Sequence, residues 1–387
     1  MDTSLIQDMG QRESVFGILD SLSIKSRTEV QQHSPCHNPY FTPENLFEQP
    51  PLELDTASLC RCYGQKVVLV IGGETNTTGE ITHQLAQLHP EHLLVLVNQH
   101  THSLLQQLQK HHPNTPITLL DGHHYDQARM QKIFQEMKPE VVILAPDIHP
   151  ALQTSENFCQ LVHYLLFGTI QMARLALQGG CSHFIMVDND PETGTHSFAT
   201  ATKRLAYHYC QSLLGHTRYI TIRSQNALIL PISALTLFRT QIQVNKPITI
   251  THPEISRHYM AIPTMVRLIL QAGAIGLGGE TYFLDLGEPF KLVDLAKKMI
   301  HLCNLQPDKD ISISFLDLRP GEQLRPNSYQ PSTTLQPTNH PWLKKITTQN
   351  KHGEPLDNLL QRLENAITNN DGQGLLKEIQ TVTSKED

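Results

Sequence analysis

Between Lys66 and Arg223 short apolar runs alternate with stretches of helical periodicity, and few folds can absorb such a pattern. Val67 to Ile71 is followed by Gly72 and Gly73 and then by Ile81, Leu85 and Leu88 at helical spacing, which reads as strand, turn, helix. Further runs at Leu93 to Val97, Ile117 to Leu120 and Val141 to Ala145 are separated by helical stretches at Ser103 to Lys110 and Gln127 to Met137. A long helical segment, Cys159 to Gln178, leads to strand His183 to Val187. Helix Ala199 to Leu214 and strand Tyr219 to Arg223 complete the series. Strands joined through helices run parallel and are covered on both faces, so the pattern predicts a doubly wound, Rossmann-like α/β sheet. Ligands of such sheets bind at the carboxyl ends of the strands.

Beyond Asn226 the alternation becomes irregular. Strand-like pieces at Ile248 to Ile250, Thr281 to Leu286 and Ile311 to Phe315, with helices near Pro263 to Gly273 and Lys291 to Cys303, predict a smaller, lid-like C-terminal domain. Leu356 to Ile379 reads as an amphipathic helix packed on the surface. The first sixty or so residues show little periodicity beyond one short helix at Ser14 to Leu22, and the segment leading to Cys60 looks loose. The expected boundaries are an N-terminal extension over 1–58, partly disordered, a Rossmann-like domain over 59–226, a substrate-binding domain over 227–345 interleaved with the sheet, and a helical tail over 346–387.

Bulk properties narrow the partners. In 387 residues, 30 basic against 37 acidic side chains leave a net charge of −7, which gives no electrostatic reason to expect nucleic acid or anionic membrane as partner and leaves a small polyanionic ligand open through local arginines. Seven scattered cysteines without a recognisable leader predict reduced thiols in a cytoplasmic protein. The most apolar stretch, Ala227 to Phe238, is too short to cross a bilayer and contains Pro231, so no membrane span is expected. Cys60 and Cys62, with Cys36 and His37 upstream, match no common zinc spacing, and no metal site is assigned. The doublets His111–His112 and His123–His124 read as solvated loop histidines.

Several segments resemble the CapD-like polysaccharide biosynthesis family, nucleotide-sugar dehydratases of the extended short-chain dehydrogenase superfamily. The resemblance is strongest in THPEISRHYMAIP (Thr251 to Pro263), LILQAGAIGLGGETYFLDLGEPFKLVDLAKKMI (Leu268 to Ile300) and LRPGEQL (Leu318 to Leu324). LFEQPPLELD (Leu46 to Asp55), PEVVILA (Pro139 to Ala145), FGT (Phe167 to Thr169) and ATKRLAY (Ala201 to Tyr207) extend it toward the N-terminus. It implies NAD or NADP as cofactor, a UDP-sugar as substrate, and a homo-oligomer or a homologous subunit as partner.

Residue by residue the two halves of the implied site differ. A dinucleotide turn needs glycines so that the backbone can approach the pyrophosphate at the helix N-terminus. Where the family has a run like TGAGGSIGSE, this chain has IGGETNTTGE: Gly72 and Gly73 remain, while Glu74 and Thr78 replace the second and third fingerprint glycines. A carboxylate about 5 Å from a phosphate charge, at an effective dielectric of about 20, is repelled by roughly 3 kcal/mol, about a hundredfold in affinity. Asn98 stands where an acid usually holds the adenosine ribose, and His123 where an aspartate faces the adenine.

Lys203 matches the superfamily lysine that holds the nicotinamide ribose, and Ala199 occupies the tyrosine position one turn before it. On residue pattern alone, Lys203 reads equally well as a solvated surface lysine. Where relatives carry an Asp-Lys pair after the preceding strand, this chain has Asp190 and Pro191, so the acid is retained and the base is lost. On the sugar-nucleotide side Arg223, Asn226, Arg257, Arg319 and Glu322 all match, guanidinium forks suiting a diphosphate and a carboxylate suiting ribose hydroxyls. The alternative for Arg257 and the RPGE turn is a purely structural role. His149 stands near a lysine position of the same pocket, where a loop histidine and a replacement base are both open. Two functions therefore stand at the level of sequence: a weakened or non-catalytic relative that keeps the sugar-nucleotide site, and an active NAD(P)-dependent 4,6-dehydratase or epimerase.

Overall fold

The computed structural model describes residue 46 and residues 52–72, 76–97, 109–110, 112–146, 157–188, 198–223, 232–258, 260–285, 287–318, 324–325, 334–347 and 356–383. Six apolar runs become β1 (Val67–Gly72), β2 (His92–Val97), β3 (Ile117–Asp121), β4 (Val141–Ala145), β5 (His183–Asp188) and β6 (Arg218–Arg223). They pair in parallel in the order β3-β2-β1-β4-β5-β6. Because strand side chains alternate between faces, Val68 and Val70 enter one core with Ile81 and Leu85. Leu69 and Ile71 enter the other, with Met130, Phe134 and Met172. Burial on both faces is why these strands read as unbroken apolar runs rather than as alternating ones.

The sheet continues past β6. Chain order further supplies β7 (Ile248–Ile250), β8 (Ser256–Arg257), β9 (Thr281–Leu284), β10 (Phe290–Lys291), β11 (Ile313–Phe315), β12 (Thr334–Pro337) and β13 (Leu343–Thr347). Strand β9 pairs parallel to β6, β13 antiparallel to β9, and β12 antiparallel to β13, giving nine strands among the described residues. The β12–β13 hairpin is not visible in the sequence reading, because its short strands alternate apolar with polar residues only weakly.

Helices α1 (Thr56–Tyr63), α2 (Asn76–Ala86) and α3 (Gln127–Met137) precede a segment in which α4 (Phe158–Val162) runs through a π-helical turn (His163–Phe167) into α5 (Gly168–Gln178). They are followed by α6 (Phe198–Ser212), α7 (Ile232–Gln243), α8 (Ile262–Ile275), α9 (Leu292–Leu302), α10 (Leu356–Thr368) and α11 (Gly372–Thr383). None of the described helices is long and apolar enough to cross a membrane.

Helix α1 departs from the loose segment expected before Cys62. Asp55 caps it by accepting the Ser58 N–H at 3.0 Å, and the Asp55 N–H donates to the buried Gln271 side chain at 2.8 Å. At its other end the fully buried Tyr63 hydroxyl donates to the Leu270 carbonyl at 2.9 Å. Cys60 is exposed and Cys62 buried, so the two thiols do not converge on a common ligand. Cys36 and His37, like the helix expected at Ser14 to Leu22 and most of that at Ser103 to Lys110, lie outside the described residues. Cys60, Cys62, Cys159, Cys181 and Cys210 are free thiols, whereas Cys303 is disulfide-bonded, a departure from reduced thiols throughout.

The chain divides into two units. The larger comprises residues 49–231, 255–291 and 319–387 and contains the sheet; the smaller comprises 1–48, 232–254 and 292–318. Within the smaller unit β7 and β11 form a parallel pair, and α7 and α9 pack beside it.

The expected single tail helix is instead a hairpin of α10 and α11. Asp371, in the turn, accepts the Gly374 N–H at 2.8 Å and redirects the chain. Leu359, Leu360, Leu363, Leu375 and Ile379 close over Val162, Ile170, Leu205 and Tyr209 of the larger unit. Leu363→Ala is expected to cost about 2–5 kcal/mol, the range for truncating a fully buried leucine. A urea midpoint indistinguishable from the parent would show that the hairpin contributes no core.

Candidate functional site

In the order β3-β2-β1-β4-β5-β6 the direction of winding reverses between β1 and β4, which opens a crevice at their carboxyl ends. Gly72 ends β1 opposite Ala145 of β4, and Asp188 ends β5 opposite Arg223 of β6. The parallel register thus brings the expected Gly72 and Arg223 to one rim of the sheet. Helix α6 follows β5 and carries Lys203.

Lys203 is not a solvated surface lysine: its side chain is 3% exposed. Its Nζ lies 3.7 Å from Asp188 Oδ1, and Arg223 Nε lies 3.6 Å from Asp188 Oδ2. One carboxylate, itself 5% exposed, therefore serves two cations from different elements. At an effective dielectric of about 20 each pairing is worth about 4 kcal/mol. Desolvation of the three charges costs a comparable amount, so the arrangement fixes geometry rather than adding stability.

One turn before Lys203, Ala199 is buried in a small apolar cluster with Leu161 and Leu165, against which Tyr164 and Phe198 pack. Nothing at that position transfers a proton. Asp190 and Pro191, with His149, lie outside the described residues.

At the first turn Thr78 is buried against the end of β1, where a Cβ on Gly72 would fall on the Thr78 side chain. The fold keeps β1 and α2 close by leaving Gly72 bare in place of the missing glycine at 78. The hydroxyls of Thr77 and Thr78 are buried without a hydrogen-bond partner among the described residues, and the Thr82 hydroxyl donates to the Thr78 carbonyl at 2.8 Å. Gly73, Glu74 and Asn98 lie outside the described residues. A nicotinamide dinucleotide fits the described part of this site poorly, because a branched side chain fills the close-packing position and the Lys203 ammonium is already engaged.

Arg257 bonds backbone rather than standing free: its Nη1 donates to the Ser256 carbonyl at 2.7 Å and, more weakly, to Leu324 at 3.5 Å. The Ser256 N–H donates to the same Leu324 carbonyl at 2.8 Å, so β8 is laced to the segment that follows the RPGE turn. Asn226, Arg319 and Glu322 lie outside the described residues.

Of the two histidine doublets, His124 departs from the solvated reading, and His111 lies outside the described residues. His124 is buried, its Nε2 2.9 Å from the Tyr164 carbonyl, and burial pushes its pKa down to about 4. A Cβ on Gly168 would meet the His124 ring at 2.8 Å, which accounts for the glycine of the FGT segment. His123 is exposed and stacks on Tyr125 with ring centroids 5.0 Å apart. His112 Nε2 lies 2.9 Å from His83 Nδ1. Asp188 is the site residue that the sequence reading overlooks, and the available signal was an acid ending the apolar run Phe184 to Val187.

This sheet order, six parallel strands with helices between them and a buried lysine on the helix after β5, is a doubly wound, Rossmann-like fold. Among solved structures the chain is similar to Pen from Bacillus thuringiensis, at a TM-score of 0.59 and 22% identity, over 79% of this chain and 99% of that one. It is also similar to the Bordetella bronchiseptica enzyme WbmH, determined in complex with NAD+, at a TM-score of 0.52 and 14% identity, over 67% and 87% of the two chains. Residues 68–347 match the family model described as "Polysaccharide biosynthesis protein", and the chain belongs to that family. It is 33% identical over 287 residues to the capsular polysaccharide biosynthesis protein CapD of Staphylococcus aureus, covering 73% of this chain. The chain spans about half of that relative's length, 48%. Its kinship is thus with polysaccharide biosynthesis proteins.

Proposed function

We propose that the protein binds a UDP-sugar on the cytoplasmic side of surface-polysaccharide synthesis and is a weakened or non-catalytic relative of the 4,6-dehydratases. The carrying observation is that neither position expected to supply a proton-accepting base holds a group able to do so. Ala199 is packed among leucines, and residue 191 is proline. Losing a positioned general base costs about two to four orders of magnitude, and here the loss adds to a cofactor turn altered at Glu74 and Thr78. Arg223, Asn226, Arg257, Arg319 and Glu322 are the residues assigned to the nucleotide sugar, with Asp190 the remaining acid. A non-catalytic member of such a family acts through a partner, either a second copy or an active homologous subunit.

The alternative, an active NAD(P)-dependent dehydratase or epimerase, is favoured by one observation, the burial of Lys203 at the sheet rim. Calorimetric titration with UDP and UDP-N-acetylglucosamine, beside incubation of concentrated protein with the same sugar and NAD(P), separates the two. Binding without a 4-keto-6-deoxy product or an epimer is expected. Stoichiometric turnover would establish the active enzyme, and absence of any UDP-sugar binding would remove the proposal.

A further inference from the structure

We propose that Asp188 is the positioning residue of this site and that it withdraws Lys203 from cofactor binding. The inference rests on the sugar-nucleotide reading above and deepens it by naming what disarms the lysine.

Three elements are needed to build the contact. Strands β5 and β6 pair Asp188 directly with Arg223, so the carboxylate and the guanidinium leave the sheet side by side. Helix α6 then lays Lys203 over the same rim, with Nζ 3.7 Å from the carboxylate. All three side chains are largely shielded from water, the most exposed being Arg223 at 18%. At 3.7 Å the contact is an ion pair rather than a hydrogen bond, and burial makes the pull of the carboxylate on the ammonium stronger than that of a neutral hydroxyl. A ribose diol seeking Lys203 must therefore compete with an ionised oxygen fixed in place by Arg223. Glu74 and Thr78 weaken the phosphate end of a dinucleotide; Asp188 weakens the nicotinamide-ribose end, through a different residue and independently of the turn. An ordinary structural ion pair would make a different prediction, since deleting it lowers stability and leaves ligand affinity no better.

The test is a fluorescence titration of the full chain with NADH, with UDP titrated in parallel. Asp188→Asn is expected to bind NADH about tenfold more tightly than the parent, and adding Lys203→Met to that variant is expected to abolish the gain. Unchanged or weaker NADH affinity in a folded Asp188→Asn protein overturns the proposal, as does a gain that survives Lys203→Met. Removing the anion leaves two cations together, so a melting curve establishes whether the variant folds. Should it not fold, Asp188→Asn combined with Arg223→Gln keeps the local charge unchanged and carries the same two outcomes. The UDP titration keeps the failures apart: loss of UDP binding in the parent removes the sugar-nucleotide reading, whereas the NADH gain concerns Asp188 alone.

Discussion

Between pH 7 and pH 4 the folded state is expected to lose about 6 kcal/mol of stability through two histidines alone. His124 and His183 are both held down to about 4 from an ordinary value of 6.5, in each case chiefly by burial. For His124 the bond to Tyr164 opposes the shift, and His123 and His163 add to it. For His183 the neighbouring charges of Arg218 and Lys66 add to it. The sign follows from the depressed values. Above pH 6.5 neither state binds the proton and stability is complete; from 6.5 down to 4 the unfolded chain takes up protons that the folded one refuses. The slope through that window is about 1.4 kcal/mol per pH unit for each histidine. Urea midpoints at pH 7, 5.5 and 4.5 measure it, and His124→Gln, which keeps a donor for the Tyr164 carbonyl, should roughly halve the slope. A stability that stays level from pH 7 to 4.5 would contradict the burial of both rings.

Tyr63→Ala is expected to cost about 3–5 kcal/mol, the range for deleting a buried aromatic side chain. Tyr63 is fully buried, belongs to the same core as Val68, Ile81 and Ile185, and its hydroxyl bonds the Leu270 carbonyl. The surroundings cannot collapse into the space readily, because Gly273 already lies so close that a Cβ there would meet the Tyr63 hydroxyl at 2.6 Å and Ile185 at 2.5 Å. Tyr63→Phe keeps the volume and loses one hydrogen bond, so about 1 kcal/mol is expected. Equal midpoints for the alanine and phenylalanine variants would refute this account of α1.

The six parallel strands are legible in the sequence because all of them except the edge strand β3 are buried on both faces, leaving apolar runs whose ends coincide with the observed ones within a residue or two. Gln127–Met137 and Val141–Ala145 agree at both ends. What escapes has identifiable causes. Helix α1 is too short for periodicity to mark and is held by two contacts more than 200 residues away, Asp55 with Gln271 and Tyr63 with Leu270. The π-helical turn at His163–Phe167 leaves the apolar spacing helical on either side, so the segment reads as one regular helix.

At the site, residue matching finds Lys203 and Arg223 but not what they touch. The carboxylate between them belongs to a strand whose apolar run draws attention away from its final residue. His124 fails for a related reason: a histidine between polar neighbours looks solvated until Tyr164 of the π-helical turn and Gly168 of α5 close over it.

Two pieces of the larger unit lie outside the stretch that matches the family. Helix α1 ends five residues before residue 68, and the α10–α11 hairpin begins beyond residue 347, yet Tyr63, Leu363 and Leu375 are fully buried. Trimming the chain to residues 68–347 would strip a side chain from beneath the sheet and bare Ala201, Leu205 and Tyr209 on the helix that bears Lys203. The segment that defines kinship is thus smaller than the segment able to stand alone, and a truncated protein's failure to bind a ligand would report on lost integrity rather than on the ligand.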